Sequence, residues 1–430
     1  MSRSAHPAGP RHADVFPEAH AAMAPADANW LDPAIWPSSV RRVDGVVQIG
    51  GAAVTDLVAS HGTPAFFLDE EDLRQRARAY AAFGRIGVYY AGKAFLCVAV
   101  ARWIAEEGLG LDVCTGGELA VALAAGFPAQ RIGVHGNNKS RAELTRAVDA
   151  RVGHVIVDSF EEIDRLAAVA AVLAADSLSF GGLHSHIGSQ IFDTSGFRLA
   201  AHRMVGLLAE VRAEHGVELP ELNLGGGLGI AYTSEDAPLP VEEVADRLRA
   251  VVTAECATAG LAVPRLGVEP GRAVSGPTTV TLYEVGTVKE LPGLRTYVSV
   301  DGGMSDNIRT ALYDAHYTAV LASRTSTAPP RVVTVCGKHC ESGDIVVHDV
   351  ALAADLAPGD LLAVPASGAY HRSMASNYNH VPRPPVIAVR NGQARVLVRR
   401  ETEDDLLRLD AAGLDTAELD TEDLDTEDEA

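Results

Sequence analysis

The strongest constraint on the fold is a unit that recurs from Val88 to Gly271. Each time, a short apolar strand stops at a polar or glycine-rich end and an alanine-rich helix follows. The strand ends read VYYAGK (88–93), GLDVCT (110–115), RIGVHGNN (131–138), HVIVDS (154–159), GLHSHIGS (182–189), LNLGGG (222–227) and LGVEPG (266–271). Helical stretches such as GELAVALAAG and SFEEIDRLAAVAAVLAAD run between them. Strand and helix alternating at this spacing indicate a parallel sheet, either open and doubly wound or closed into a barrel.

Past Ser275 the texture changes. TTVTLYEVGTVKE, TYVSVDGG, PRVVTVCG, DIVVHDVALAAD, DLLAVPA and PPVIAVRNGQARVLVRR are strands separated by turns, the pattern of an all-β domain. The expected division is a disordered N-terminus over 1–36, a segment 37–63 that packs with the β domain, an α/β barrel over 64–275, the β domain over 276–402, and an acidic disordered tail over 403–430. A chain of 430 residues with 47% hydrophobic content is long enough for two domains or three. Its net charge of −21 is local: residues 401–430 hold 14 acids and one arginine, which leaves −8 for the rest. An acidic body argues against nucleic acid as a partner. No apolar run approaches a membrane span, and the first thirty residues lack the apolar core of a signal peptide. Five irregularly spaced cysteines suit reduced thiols in a cytoplasmic enzyme.

Lysine is scarce here: Lys93, Lys139, Lys289 and Lys338 stand against 32 arginines. Lys93 lies in an apolar strand end, VYYAGKAFLC, where a desolvated amine can act as a nucleophile, although taken alone it fits a lysine snorkelling to water better. GGGLG (225–229) offers exposed backbone N–H groups for a phosphate, or is a plain strand–helix turn. HSHIGS brings His186 and Ser189 to another strand end, and EPGR adds Glu269 and Arg272 at the last. An imine-forming amine, a phosphate cradle, a flat imidazole and a carboxylate at one barrel mouth describe a pyridoxal phosphate site. Cys336 and Cys340 with His339 and His348 are an alternative metal cluster, at a spacing that matches no recognised zinc pattern.

Nine motifs in order, YAGKAF, LDVCTGGEL, HGNNKS, GLHSHIGSQ, LGGGLGI, EPGR, DGGMSDNIRTALY, GKHCESGD and GAYHRSMASNYN, make the chain resemble the barrel-type pyridoxal phosphate decarboxylases. The wording is most similar to actinobacterial diaminopimelate decarboxylases, and the resemblance runs from about Gly45 to Arg400. It implies a barrel of the TIM or alanine-racemase type with a C-terminal β domain, pyridoxal 5'-phosphate as cofactor, and conversion of meso-2,6-diaminopimelate to L-lysine. It further implies Lys93 as the Schiff-base lysine, with Asp112, His186, Ser189, Gly226, Gly227, Glu269, Pro270, Gly271, Arg272 and Tyr370 around the cofactor. Arg272, Arg309, Tyr313, Glu341 and Tyr370 fall to the substrate, with Cys340 as the acid that protonates the product carbon. Cys340 would come from the second subunit of a homodimer with shared sites. Ornithine or lysine decarboxylation on the same scaffold is the alternative.

One departure stands out. The family barrel has eight strands and this sequence has seven, because SFEEIDRLAAVAAVLAADSLSFGG joins HVIVDS directly to GLHSHIGS. The loss of a βα unit also admits a cofactor-binding protein without activity. Since free strand edges are costly, strands 154–158 and 183–187 are expected to pair directly and close a seven-stranded barrel.

Overall fold

In the computed structural model, which describes residues 27–84, 86–172 and 178–410, all seven expected strands are present. They are β1 (Gly87–Ala91), β2 (Gly110–Val113), β3 (Ile132–Val134), β4 (His154–Val155), β5 (Gly182–His184), β6 (Glu221–Asn223) and β7 (Arg265–Val268). The sheet is parallel throughout, in the order β4-β3-β2-β1-β7-β6-β5. Ala91 pairs with Asp112, and Val113 with Val134. All seven carboxyl ends therefore open on one side.

The sheet does not close. β4 and β5 occupy opposite edges and do not pair, which corrects the expectation of a directly closed barrel. Closing seven strands would change tilt and stagger around the whole ring, whereas each edge strand here keeps the register set by its one neighbour. Side chains span part of the opening at the amino ends of the strands. His154 Nε2 on β4 is 3.3 Å from Glu221 Oε2 on β6, and His154 Nδ1 is 3.3 Å from the Tyr89 hydroxyl on β1. Large apolar side chains lie exposed in the segments beside the two free edges, Phe160 at 85% and Phe180 at 65% among them.

Helix Phe160–Val172 carries the chain away from β4. Its first turn is anchored by a buried ion pair. Lys139 Nζ lies 2.9 Å from Glu162 Oε2 and donates to the carbonyls of Gly136 and Ile156, while Glu162 accepts from the backbone N–H groups of Lys139 and Asp158.

The second sheet has nine strands and is built on Thr279–Leu291. Strand Ala65–Asp69 belongs to this sheet, not to the barrel in which a boundary at residue 64 would place it. It pairs antiparallel with Thr279–Leu282 and parallel with Val386–Val389. AFFLD is buried along its whole length, so a central position with neighbours on both sides suits it. The small sheet Arg41–Val43, Val46–Ile49 and Ala52–Ala53 docks on the same domain, with Val47 N donating to Ala322 O at 2.9 Å.

Order extends further at both ends than the composition suggests. Ile35 and Trp36 are core residues, so disorder does not run to residue 36. Glu403–Leu407 is a helix with a capping box between Thr402 and Asp405, so the tail expected from 403 begins as structure. Residues 1–26 and 411–430, the rest of both expected disordered ends, lie outside the described residues.

Candidate active site

The strand ends converge as the sequence requires. At the end of β1 the chain turns through Gly92, whose N–H donates to Asp112 O at 2.8 Å, and Lys93 emerges exposed at the mouth. Its positive charge acts on Asp112, Cys114, Glu118 and His186. Pro270 and Gly271 pack against the same turn, with Ala91 N donating to Pro270 O, and a Cβ on Gly271 would press on Ala91 and Ala94.

Glu269 is the centre of a buried network at the end of β7. Oε1 accepts from His135 Nε2 at 3.0 Å and Asn223 Nδ2 at 2.8 Å, and Oε2 from His184 Nε2 at 3.1 Å. Burial works against its charge, but the two imidazole hydrogen bonds prevail and hold the carboxyl well below the usual range. Asp112 behaves in the opposite sense. Burial and then the charge of Glu269 raise it well above its ordinary value, and its Oδ1 has no hydrogen-bond partner.

A second cluster joins the two domains. Arg272 donates to Ser189 Oγ at 2.8 Å and to the Tyr232 hydroxyl, and its guanidinium lies 4.8 Å from the Tyr370 ring centre. Arg309 Nε donates to the Tyr317 hydroxyl at 2.8 Å and faces the rings of Tyr232, Tyr313 and Tyr370 at 5.5–5.6 Å. Neither guanidinium has a carboxylate within 4 Å among the described residues, and Arg272 Nε has no acceptor. Two largely buried cations without an acid form a site for an anion. Tyr370 sits at φ 63°, an unusual conformation for a non-glycine residue, with its N–H fixed on Ala94 O beside Lys93. Burial and then the two arginines push the neighbouring His371 down to about 3, so it stays neutral.

The glycine loop is dictated first by packing. A Cβ on Gly225, Gly226 or Gly227 would run into the carbonyl of Ser185, Glu269 or Gly188. His186, exposed on the edge strand's extension, accepts the Gly226 N–H on Nδ1 at 3.2 Å. Burial and then the Lys93 charge lower its basicity.

Among the described residues, no hydrogen bond or ion pair joins Cys340 or Glu341 to Lys93, Arg272 or Arg309. Cys340 and Glu341 lie exposed on the turn after Pro330–Cys336, where Glu341 Oε2 is 3.5 Å from the Tyr378 hydroxyl. Asp344 fixes that turn by accepting from Met304 N and His339 N. His339 is engaged with Asn379 and Ser305, and Cys336 with Ser299. The alternative metal cluster on Cys336, Cys340, His339 and His348 is therefore corrected. Among the described residues, the group of metal-type ligands that does assemble is His135, His184 and Glu269. His135, His184, Asn223, Tyr232 and Tyr317 had no expected role. The HSH alternation, which sets His184 and His186 on one strand face, and the histidine opening HGNNKS were the available signals.

A family model described as "Pyridoxal-dependent decarboxylase, pyridoxal binding domain" matches residues 70–174 and again 166–276. The two matches share part of helix Phe160–Val172, as expected when one helix keeps the front of one unit and the back of another. Diaminopimelate decarboxylase of Mycobacterium leprae is 50% identical over 94% of this chain and 99% of its own length. That of Mycobacterium tuberculosis is 51% identical over 88% of this chain and 98% of its own length. The second alignment runs over 439 positions while using 88% of 430 residues, so about sixty positions of the relative have no counterpart here. The crystal structure of diaminopimelate decarboxylase from M. jannaschii with L-lysine superposes with a TM-score of 0.81 at 27% identity, over 87% of this chain and 98% of that one. Identity at this level along nearly the full length of both mycobacterial relatives places the chain in the diaminopimelate decarboxylase family.

Proposed function

We propose that this protein uses pyridoxal 5'-phosphate to decarboxylate meso-2,6-diaminopimelate to L-lysine. The observation that carries the reading is the pair of acid-free guanidinium groups, Arg272 and Arg309, sharing the Tyr370 ring beside the Lys93 turn. The residues present fit the cofactor. Arg272 Nε lacks an acceptor, the Lys93 amine is free of ion pairs among the described residues, and Glu269 keeps a charged carboxylate. When bound, the cofactor supplies an aldehyde for an amine and a ring that withdraws the electron pair left by departing carbon dioxide.

The chain's own residues then divide the work. Lys93 Nζ is the attachment point. Glu269, held anionic by His135 and His184, keeps a proton on the ring nitrogen, with Asp112 beside it. His186 covers the ring face. The backbone of Gly226, Gly227, Pro270 and Gly271, with Ser189 and Tyr370, holds the phosphate end. Arg309 and Tyr313 take the distal carboxylate, which ornithine and lysine lack, and Arg272 stands between phosphate and substrate. Glu341 takes the distal ammonium and the Cys340 thiol delivers a proton to the product carbon. Both reach the site from the second subunit of a homodimer, consistent with their exposed position away from their own Lys93. The protein works in the cytoplasm and spans no membrane; no helix among the described residues is long and apolar enough to cross one.

Carbon dioxide release from meso-diaminopimelate, ornithine and lysine tests the reading. Release from meso-diaminopimelate alone is expected. Equal turnover of ornithine rejects the substrate, and no release from any of them, with cofactor bound, makes the protein a cofactor binder whose open sheet has cost it activity.

A further inference from the structure

The network around Glu269 has the composition of a metal site as well as that of a ring-nitrogen partner. Two imidazoles and a carboxylate are the donor set of a three-ligand zinc centre with one open position. His135 Nε2 and Glu269 Oε1 stand 3.0 Å apart, and His184 Nε2 and Glu269 Oε2 3.1 Å. One atom from each of the three residues lies within 4.8 Å of the others. Donors about 2.1 Å from a tetrahedral ion are about 3.4 Å from one another, so the three close on an ion with small shifts. Asn223 holds Glu269 from outside with a 2.8 Å hydrogen bond, and Gly225 N in turn fixes Asn223 Oδ1. Asp112 Oδ1 is buried without a partner and stands 3.6 Å from His135 Nε2, where it can accept from a water on the open position.

We propose that the cofactor-free protein binds one zinc-class divalent ion on His135, His184 and Glu269, and that ion and pyridoxal phosphate exclude each other. The exclusion rests on the reading of Glu269 as partner of the ring nitrogen, since one carboxylate cannot serve both. Ligation also requires each imidazole to carry its proton on Nδ1, whereas the hydrogen bonds to Glu269 require it on Nε2. The site therefore switches tautomer when it changes occupant.

Cobalt(II) titrated into cofactor-stripped, chelator-treated protein reports the ion by its visible d–d bands. One equivalent is expected, without the near-ultraviolet charge-transfer band of a thiolate ligand. Adding pyridoxal phosphate should abolish the bands, and zinc should prevent the protein from retaining the cofactor through desalting until a chelator is added. His184→Ala and His135→Asn, each checked for folding by its melting curve, should weaken cobalt binding about tenfold or more. Affinity unchanged in either folded variant, a thiolate signature, or bands that persist at full cofactor occupancy would overturn the proposal. Metal-free protein that retains no pyridoxal phosphate after desalting would instead reject the cofactor reading of Glu269, and with it the exclusion, while the cobalt bands still decide the ion.

Discussion

Arg309 illustrates how much one side chain can be asked to do. Its guanidinium is oriented by the Tyr317 hydroxyl and by three aromatic rings, so its planar fork is presented to a carboxylate with little freedom left to lose. Arg309→Lys keeps the charge and removes the fork. Loss of a charge-assisted hydrogen bond should lower kcat/KM for meso-diaminopimelate about 10- to 100-fold, and steady-state kinetics on both substrates should show any slight turnover of ornithine untouched. Asp306 makes a pH-dependent prediction in the β domain. Burial raises its carboxyl to about 7, against an unfolded value of 3.8, although Gly303 N and the Tyr283 hydroxyl both donate to it. Between those values the folded state holds a proton that the unfolded chain has released, so this contribution to stability fades as pH rises through the window. Asp306→Asn imitates the protonated form. Melting curves should show the variant gaining on the wild type from pH 4 to 7.5, and a difference independent of pH would refute the assignment. The placement of Lys93, Glu269 and Arg272 at converging strand ends was legible in the sequence because each sits in a strand-end motif. His135, His184 and Asn223 were not, because their shared contact with Glu269 depends on which strands are neighbours. Spacing along a chain does not give the lateral order of a sheet.

The strands themselves were readable because apolar runs closing on glycine or polar residues repeat seven times. The gap was not: the fused helix is long enough to cross between parallel neighbours, and only the register held by β3 and β6 keeps β4 and β5 apart. At this edge the Lys139–Glu162 pair fastens the helix to β3 and β4. Lys139→Met leaves the buried Glu162 carboxylate without its counter-charge and should cost about 3–5 kcal/mol in denaturant unfolding. The double variant Lys139→Met/Glu162→Gln should recover part of that loss. A double variant no more stable than the single one would show that the backbone hydrogen bonds, not the charges, anchor the helix. The boundary at residue 64 failed for a related reason. A five-residue buried strand reads the same in either sheet, and only pairing with Thr279–Leu282 assigns Ala65–Asp69 to the second.

At the scale of the whole molecule, the proposed homodimer predicts that the exposed turn bearing Cys340 and Glu341 meets the Lys93 of a second subunit. Lys93→Ala and Cys340→Ala proteins, each inactive alone, should regain roughly a quarter of wild-type activity when equal amounts are mixed. Half of the dimers would then be hybrid, and one site in each would be intact. No recovery despite demonstrated subunit exchange would place each site within a single chain. The order of the open sheet has a further consequence. β1 and β7, the strands farthest apart in sequence, are hydrogen-bonded at its centre, while the link from β4 to β5 joins its two rims. Opening the chain between residues 172 and 178 therefore cuts no strand pairing among the described residues. The amino-terminal piece keeps β1 to β4, the carboxyl-terminal piece keeps β5 to β7, and the first inserts Ala65–Asp69 between two strands of the second. Two polypeptides encoded separately and divided there should find each other and co-purify as a one-to-one complex, and pieces that stay apart on co-expression would refute this. The two unpaired edges would thus make this protein divisible within a single connecting segment.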